Sequence, residues 1–230
     1  MTAGRALANL EAYDLWAASY PPVPHNPLMR AEQRAMQQLW PAAASLNGAR
    51  ALDLACGSGR YTALLRQSGA SHVVAMDLSL PMLQRIEGGS RVRGDMECLP
   101  FGPATFDAVV SGLAVGHAYS LDDWVGGIVR ILVPDGLLLY SDFHPDAAQA
   151  GMTRSFTDSR NRRHTLLHHR HEKADHHRVM QAAGLEIEAM REVRVGLELN
   201  EGFAGADAFY RRWHGLPVVL AVRARKLHHA

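Results

Sequence analysis

The stretch Ala51-Leu52-Asp53-Leu54-Ala55-Cys56-Gly57-Ser58-Gly59-Arg60-Tyr61-Thr62 decides the fold. A short apolar run carrying an acid reads as a buried strand, and the Gly-Ser-Gly that follows reads as a tight turn into a helix. Glycine lets the backbone approach a ligand closely, because no Cβ stands in the way. The free N–H groups and positive end of the next helix then face the polar part of that ligand. In an open α/β sheet, the first loop after a central strand is where nucleotide-like cofactors sit. A dinucleotide fingerprint G-x-G-x-x-G would need a third glycine at position 62, where Thr62 stands instead. Asp53 also argues against a pyrophosphate, which a carboxylate repels, and for a cationic ligand such as S-adenosylmethionine, with its ammonium and sulfonium.

Further acids follow in order. His72-Val73-Val74-Ala75-Met76-Asp77 reads as a second strand ending in an acid, placed about 20 residues after the glycine turn, where a carboxylate can take both hydroxyls of a ribose. Leu78-Ser79-Leu80-Pro81-Met82-Leu83 opens the next helix, and Val92-Arg93-Gly94-Asp95-Met96-Glu97-Cys98-Leu99-Pro100-Phe101 follows a third strand. Phe106 to Ser111 reads as a fourth strand, and Gly136 to Phe143 as a fifth. Each acid alone has an ordinary alternative, since Asp favours helix N-caps and turns. Three acids at three successive strand ends of one sheet converge on one crevice.

Over residues 50 to 143 these segments resemble the class I S-adenosylmethionine-dependent methyltransferases of the small-molecule, type 11 domain kind. Their first motif, acid-x-Gly-x-Gly-x-Gly, stands here as Asp53-x-Ala55-x-Gly57-x-Gly59, with Ala55 in place of the first glycine. The resemblance implies a Rossmann-like, seven-stranded, mostly parallel α/β sheet with helices on both faces, the last strand antiparallel, and an N-terminal helical lid. It implies S-adenosylmethionine as cofactor, held by Tyr20, Asp53, Ala55, Gly57, Ser58, Gly59, Asp77, Leu78, Met82, Asp95, Met96 and Ser111. Asp95 would accept from the adenine amino group and the Met96 backbone would contact the ring.

The remainder is organised around that core. At 230 residues one α/β domain is expected, divided as a lid over 1–48 and a core over 49–230, with acceptor-pocket insertions in 145–215. Leu10 to Tyr20 reads as a helix bearing Tyr13, Trp16 and Tyr20, stopped by Pro21, Pro22 and Pro24. A second runs from Pro27 to Leu39, with Leu28, Ala31, Ala35, Met36 and Leu39 at helical spacing. Core strands are expected near 50–54, 72–77, 91–94, 106–111 and 136–143, and helices near 60–68, 80–87 and 121–132. Past residue 145 a helix at 172–183, strands near 185–195 and 216–225, and a helix around Asp207–Trp213 are expected.

Methyl transfer is an in-line displacement, so a base is needed only when the acceptor atom keeps its proton. His117 after the fourth strand and His144 after the fifth are the candidate bases. Trp16, His169 and His171 are candidates for contact with the acceptor. His164, His168, His169, His171, His176 and His177 invite a metal, and the spacing of His164 and His168 would allow one helical face, but Arg162, Arg163, Arg170 and Lys173 crowd them, so none is expected. With Lys+Arg 24 against Asp+Glu 23, a net charge of +1 gives no footprint for nucleic acid. Ser111-Gly112-Leu113-Ala114 lacks the Asn/Asp-Pro-Pro-aromatic turn of nucleic-acid amino methylases, and neither Cys56 nor Cys98 stands in a Pro-Cys pair. No apolar run approaches the ~18 residues of a membrane span, and no signal-peptide pattern opens the chain. The expected protein is cytoplasmic, a monomer or homodimer, methylating O or N of a small molecule, such as a bacterial secondary metabolite. A protein or tRNA methyltransferase and a non-catalytic S-adenosylmethionine-binding protein are the alternatives.

Overall fold

The chain builds its sheet by alternating strand and helix, and a computed structural model describes residues 9–21, 23–158, 160–199 and 205–228. Helices α1 (Asn9–Ala17), α2 (Pro27–Leu39) and α3 (Ala43–Leu46) precede the sheet. The core runs β1 (Arg50–Leu54), α4 (Arg60–Gln67), β2 (His72–Asp77), α5 (Leu80–Leu83), β3 (Ser90–Arg93), β4 (Phe106–Ser111), α6 (Leu121–Ile131) and β5 (Leu132–Phe143). Then come α7 (Pro145–Gln149), β6 (Ser155–Thr157), β7 (Arg163–Thr165), α8 (Lys173–Ala182), β8 (Leu185–Arg194), α9 (Ala206–Trp213) and β9 (Pro217–Lys226).

Seven strands form one sheet in the order β3-β2-β1-β4-β5-β9-β8. The first five are parallel, while β9 runs antiparallel to both β5 and β8. The order reverses between β1 and β4, and a crevice opens there at the carboxyl ends of the strands. Alternation along β1 sends Leu52 and Leu54 to one face and Ala51 to the other. The first face packs on Trp124, Ile128 and Ile131 of α6 and Val179 and Met180 of α8. The second packs on Met36 and Leu39 of α2 and Tyr61 and Leu65 of α4. Asp53 lies on that second face, which is why it meets α4.

Helix starts follow local chemistry. Asn26 caps α2 by accepting from Met29 N at 2.9 Å, with Pro27 in the first turn. Ser120 caps α6 through Asp123 N at 3.1 Å, and Glu172 with Asp175 forms a reciprocal box opening α8.

Several expectations need correction. Helix α1 ends at Ala17, where Ser19 N bonds Trp16 O and Tyr20 N bonds Ala17 O, so Tyr20 sits in a turn rather than on the helix. Of the prolines meant to stop it, Pro22 lies outside the described residues. The helix expected at 80–87 stops at Leu83, where Arg85 N bonds Met82 O and Ile86 N bonds Leu83 O in three-residue turns, before Gly88 and Gly89 at positive φ lead into β3. Strand β5 begins at Leu132 rather than 136, with Pro134-Asp135-Gly136 forming an irregularity between the Phe106 and Ala108 pairings. His164 lies on β7, in a small hairpin with β6, and shares no helical face with His168.

Candidate cofactor and acceptor site

A cavity of about 450 Å³ opens over the carboxyl ends of β1, β2, β3 and β4. Its floor is the turn Asp53–Ser58; Asp77, Leu78 and Ser79 come from the tip of β2, and Gly94–Glu97 from that of β3. Tyr13, Trp16 and Tyr20 cover it from the N-terminal side, and Met152–Ser155, Leu166, Leu199 and Phe209 line the remaining wall. Cofactor candidates Tyr20, Asp53, Ala55, Gly57, Ser58, Asp77, Leu78, Asp95 and Met96 all line this one space, as does Trp16.

The floor is held by the acids. Asp53 Oδ2 accepts from both Thr62 N and Thr62 Oγ1 at 2.6 Å, which ties β1 to the first turn of α4. Burial pushes its carboxyl up to about 7, against the pull of the two Thr62 bonds. Asp77 accepts from Gly57 N through Oδ2 at 2.8 Å and from Ser79 N through Oδ1 at 2.9 Å. Burial raises its pKa as well, and the two backbone donors work the other way. Asp95, exposed, accepts from Glu97 N at 3.0 Å. Ala55 adopts φ of +54°, a left-handed conformation that costs a side-chain-bearing residue roughly 1–2 kcal/mol. The turn therefore keeps its glycine-like shape without the glycine. Gly57, at φ +55°, is the point where backbone faces the Tyr20 ring, with an added Cβ only 4.0 Å from it.

Other candidates stand outside the cavity, each for a visible reason. Gly59 begins α4 with φ of +88° against Ile86, on the far side of the turn. Met82 is fully buried in the core, since the single turn of α5 points it inward and leaves Leu78 at the cavity. Ser111 spends its hydroxyl on Leu54 O at 2.9 Å, latching β4 to β1. His144 caps α7 by accepting from Asp146 N at 3.2 Å and is 3 % exposed. Its other nitrogen points toward Glu192 at 3.7 Å, away from the crevice. His169 is exposed beside Tyr119, and His171 lies 3.1 Å from Ala118 O, so neither reaches the cavity. The six-histidine segment is dispersed: His164 pairs with Asp158 at 2.9 Å and His168 with Asp142 at 3.2 Å, while His176 meets the Tyr140 hydroxyl at 2.9 Å.

His117 does line the cavity. Both ring nitrogens are engaged: Nδ1 lies 2.9 Å from Asn9 Nδ2 and 3.1 Å from Leu167 O, and Nε2 lies 3.3 Å from Arg154 Nη1. The Tyr13 hydroxyl is hydrogen-bonded to Nε2 at 2.9 Å. Burial first, then Arg154 and His168, lower this imidazole to about 3, with Asp142 opposing. A folded pKa below the unfolded value of about 6.5 means the unfolded chain binds the proton more readily. Stability from the neutral ring is complete above pH about 6.5 and is lost as pH falls toward 3. Urea denaturation across that range is expected to show a wild-type advantage over His117→Gln that shrinks on acidification. A constant difference would contradict the assignment.

Some groups at the site had gone unread. Glu32 of α2 is fully buried, bonded by Tyr61 Oη at 2.6 Å and Ser141 Oγ at 2.7 Å, and ion-paired with Arg60 at 2.7 Å. A charge at position 32 on the apolar stripe Leu28, Ala31, Ala35, Met36 was the available signal. Asp14 accepts from Ser79 Oγ at 2.5 Å, joining α1 to the tip of β2. Arg154 lies in a stretch without periodicity and gave no signal.

The glycine turn, the acid at the tip of β2 and the Gly94–Glu97 segment at one switch point accord with the family comparison. A family described as "Methyltransferase domain" matches residues 52–140. The chain carries a methyltransferase domain. The chain is 36% identical over 127 residues to a malonyl-[acyl-carrier protein] O-methyltransferase of Enterobacter lignolyticus, covering 54% of this chain and 49% of the relative. It is 36% identical over 118 residues to the demethylmenaquinone methyltransferase of Clavibacter sepedonicus, covering 46% and 48%. The chain thus spans about half the length of these curated relatives. In fold it resembles an S-adenosylmethionine dependent methyltransferase of Mesorhizobium loti, with a TM-score of 0.68 at 22% identity over 85% of this chain and 98% of that one. Among the described residues no helix is long and apolar enough to cross a membrane.

Proposed function

We propose that this chain transfers a methyl group from S-adenosylmethionine to an oxygen or nitrogen of a small molecule. The observation that carries the reading is Asp77, a carboxylate at the cavity wall joined directly to the glycine turn through Gly57 N. Among the described residues its bonded partners are backbone N–H groups, and no lysine or arginine lies at ion-pair distance. It therefore suits the paired hydroxyls of a ribose better than a phosphate. Asp95 lines the same space and adds negative charge suited to a cationic donor.

When bound, S-adenosylmethionine supplies a methyl group activated by its positive sulfur. The protein's part is to hold two reactants in line and to exclude water. Tyr13, Trp16 and Tyr20 would form the lid that closes the cofactor end, with Met152, Arg154, Leu166 and Phe209 shaping the acceptor end. Trp16 stacks on Phe156 at 4.6 Å and meets Tyr20 edge-on at 4.7 Å, a wall well suited to screening the sulfonium from solvent. His117 is a poor general base, because both ring nitrogens are engaged and its pKa is held near 3. The arrangement favours an acceptor atom that already carries a free lone pair at neutral pH.

Methyl-labelled S-adenosylmethionine incubated with the protein and a fractionated extract of the source organism is expected to place label in a low-mass fraction. Label in protein or tRNA would contradict the small-molecule reading. Cofactor binding without transfer to any fraction would leave a binding protein instead.

A further inference from the structure

Two arginines face the cavity, and they are not equivalent. Arg60 is neutralised by Glu32 at 2.7 Å. Arg154 has no carboxylate at ion-pair distance among the described residues; its partners are all neutral. Nη1 donates to Leu113 O at 2.8 Å and faces His117 Nε2 at 3.3 Å, and Nη2 reaches Tyr13 Oη at 3.4 Å. Only the first is a bond of ordinary length; the other two lie beyond the usual range. The guanidinium is thus anchored by one carbonyl, with donors left for a ligand.

The surroundings define that ligand. His117 is kept neutral and adds no second cation to attract a polyanion. Met152, Leu166, Leu199, Phe209 and Val218 make the nearby cavity wall apolar. A planar, weakly hydrated guanidinium in such a setting pairs best with a carboxylate, through two parallel bonds. We infer that Arg154 receives a carboxylate borne by the methyl acceptor, which makes the acceptor a small organic acid with an apolar body. This rests on the methyl-transfer reading above. The donor has a carboxylate of its own, but among the described residues Arg154 hydrogen-bonds to Leu113, His117 and Tyr13, and to no atom of the 55–59 turn or the 77–79 tip.

Calorimetry separates the two carboxylates. Protein saturated with S-adenosylhomocysteine is titrated with octanoate and with octanamide, as wild type, Arg154→Gln and Arg154→Lys. The wild type is expected to prefer octanoate by about tenfold or more. Arg154→Gln, whose amide can still donate to Leu113 O, is expected to lose that preference, and Arg154→Lys to keep part of it. Affinity for S-adenosylhomocysteine is expected to stay within about twofold in both variants. Equal binding of the two probes, or no binding of octanoate, overturns the inference. So does weakened S-adenosylhomocysteine binding in Arg154→Gln with unchanged binding of 5′-methylthioadenosine, which lacks the carboxylate. Failure of the wild type to bind S-adenosylhomocysteine would instead remove the cofactor reading itself.

Discussion

Asp77→Ala is expected to weaken S-adenosylhomocysteine binding by about 100-fold or more, equivalent to roughly 3 kcal/mol. The magnitude follows from two charge-assisted bonds, each worth about 1.5–3 kcal/mol when made by an ionised group away from bulk water. Truncation also removes the acceptor for Gly57 N at 2.8 Å and Ser79 N at 2.9 Å, so the turn and the β2 tip lose their mutual brace. Both effects lower affinity, and the thermal midpoint separates them. A collapse of the fold would move the midpoint by many degrees, whereas loss of the ligand contacts leaves it nearly in place. Asp77→Asn keeps one acceptor oxygen and is expected to fall between wild type and Asp77→Ala. Calorimetry showing Asp77→Ala within about threefold of wild type would mean that the ribose does not sit there.

Glu32→Ala is expected to destabilise the protein by about 3–5 kcal/mol, measured by urea denaturation. Glu32 is fully buried, and its removal strands three groups at once: the Arg60 guanidinium, the Tyr61 hydroxyl and the Ser141 hydroxyl. An unpaired buried charge is the dominant cost. The network ties α2 to α4 and β5, so its loss loosens the floor of the cavity together with the helix that covers it. Glu32→Gln keeps an oxygen for the hydroxyls but leaves Arg60 unneutralised, and is expected to cost less than the alanine. Replacing both ionic partners, as Glu32→Met with Arg60→Met, is expected to recover much of the loss, since a well-packed apolar pair needs no desolvation. A cost below about 1 kcal/mol for Glu32→Ala would mean that water reaches the pair.

The sheet was legible because its strands are short apolar runs, with an acid at or next to the carboxyl end of the first two. Arg50–Leu54, His72–Asp77 and Phe106–Ser111 appear within a residue of where the pattern put them. The mouth of the site was legible for the same reason, as strand tips in a parallel sheet all open on one edge. Sequence does not disclose which face of a short segment turns toward that edge. In the run 78–83, Leu78 reached the cavity and Met82 turned into the core, because one helical turn carries no amphipathic repeat to read. Ser111 ends a strand beside the site, yet its hydroxyl is used by Leu54 O. His144 follows β5 as expected, but a cap bond turns it away from the crevice. The acceptor wall was least legible. Arg154 precedes a three-residue strand whose partner is equally short, and such pieces leave no period in the sequence. Glu32 stands as a charge on an apolar stripe, although its partners come from two distant segments.

Crystals of the protein grown with S-adenosylhomocysteine test the account most directly. The ribose hydroxyls are expected on the Asp77 carboxylate, the adenine amino group at Asp95, and the thioether beside the 55–57 turn under Tyr20. A ligand seated elsewhere, or a phosphate-bearing nucleotide occupying the turn in preference to it, would contradict the account.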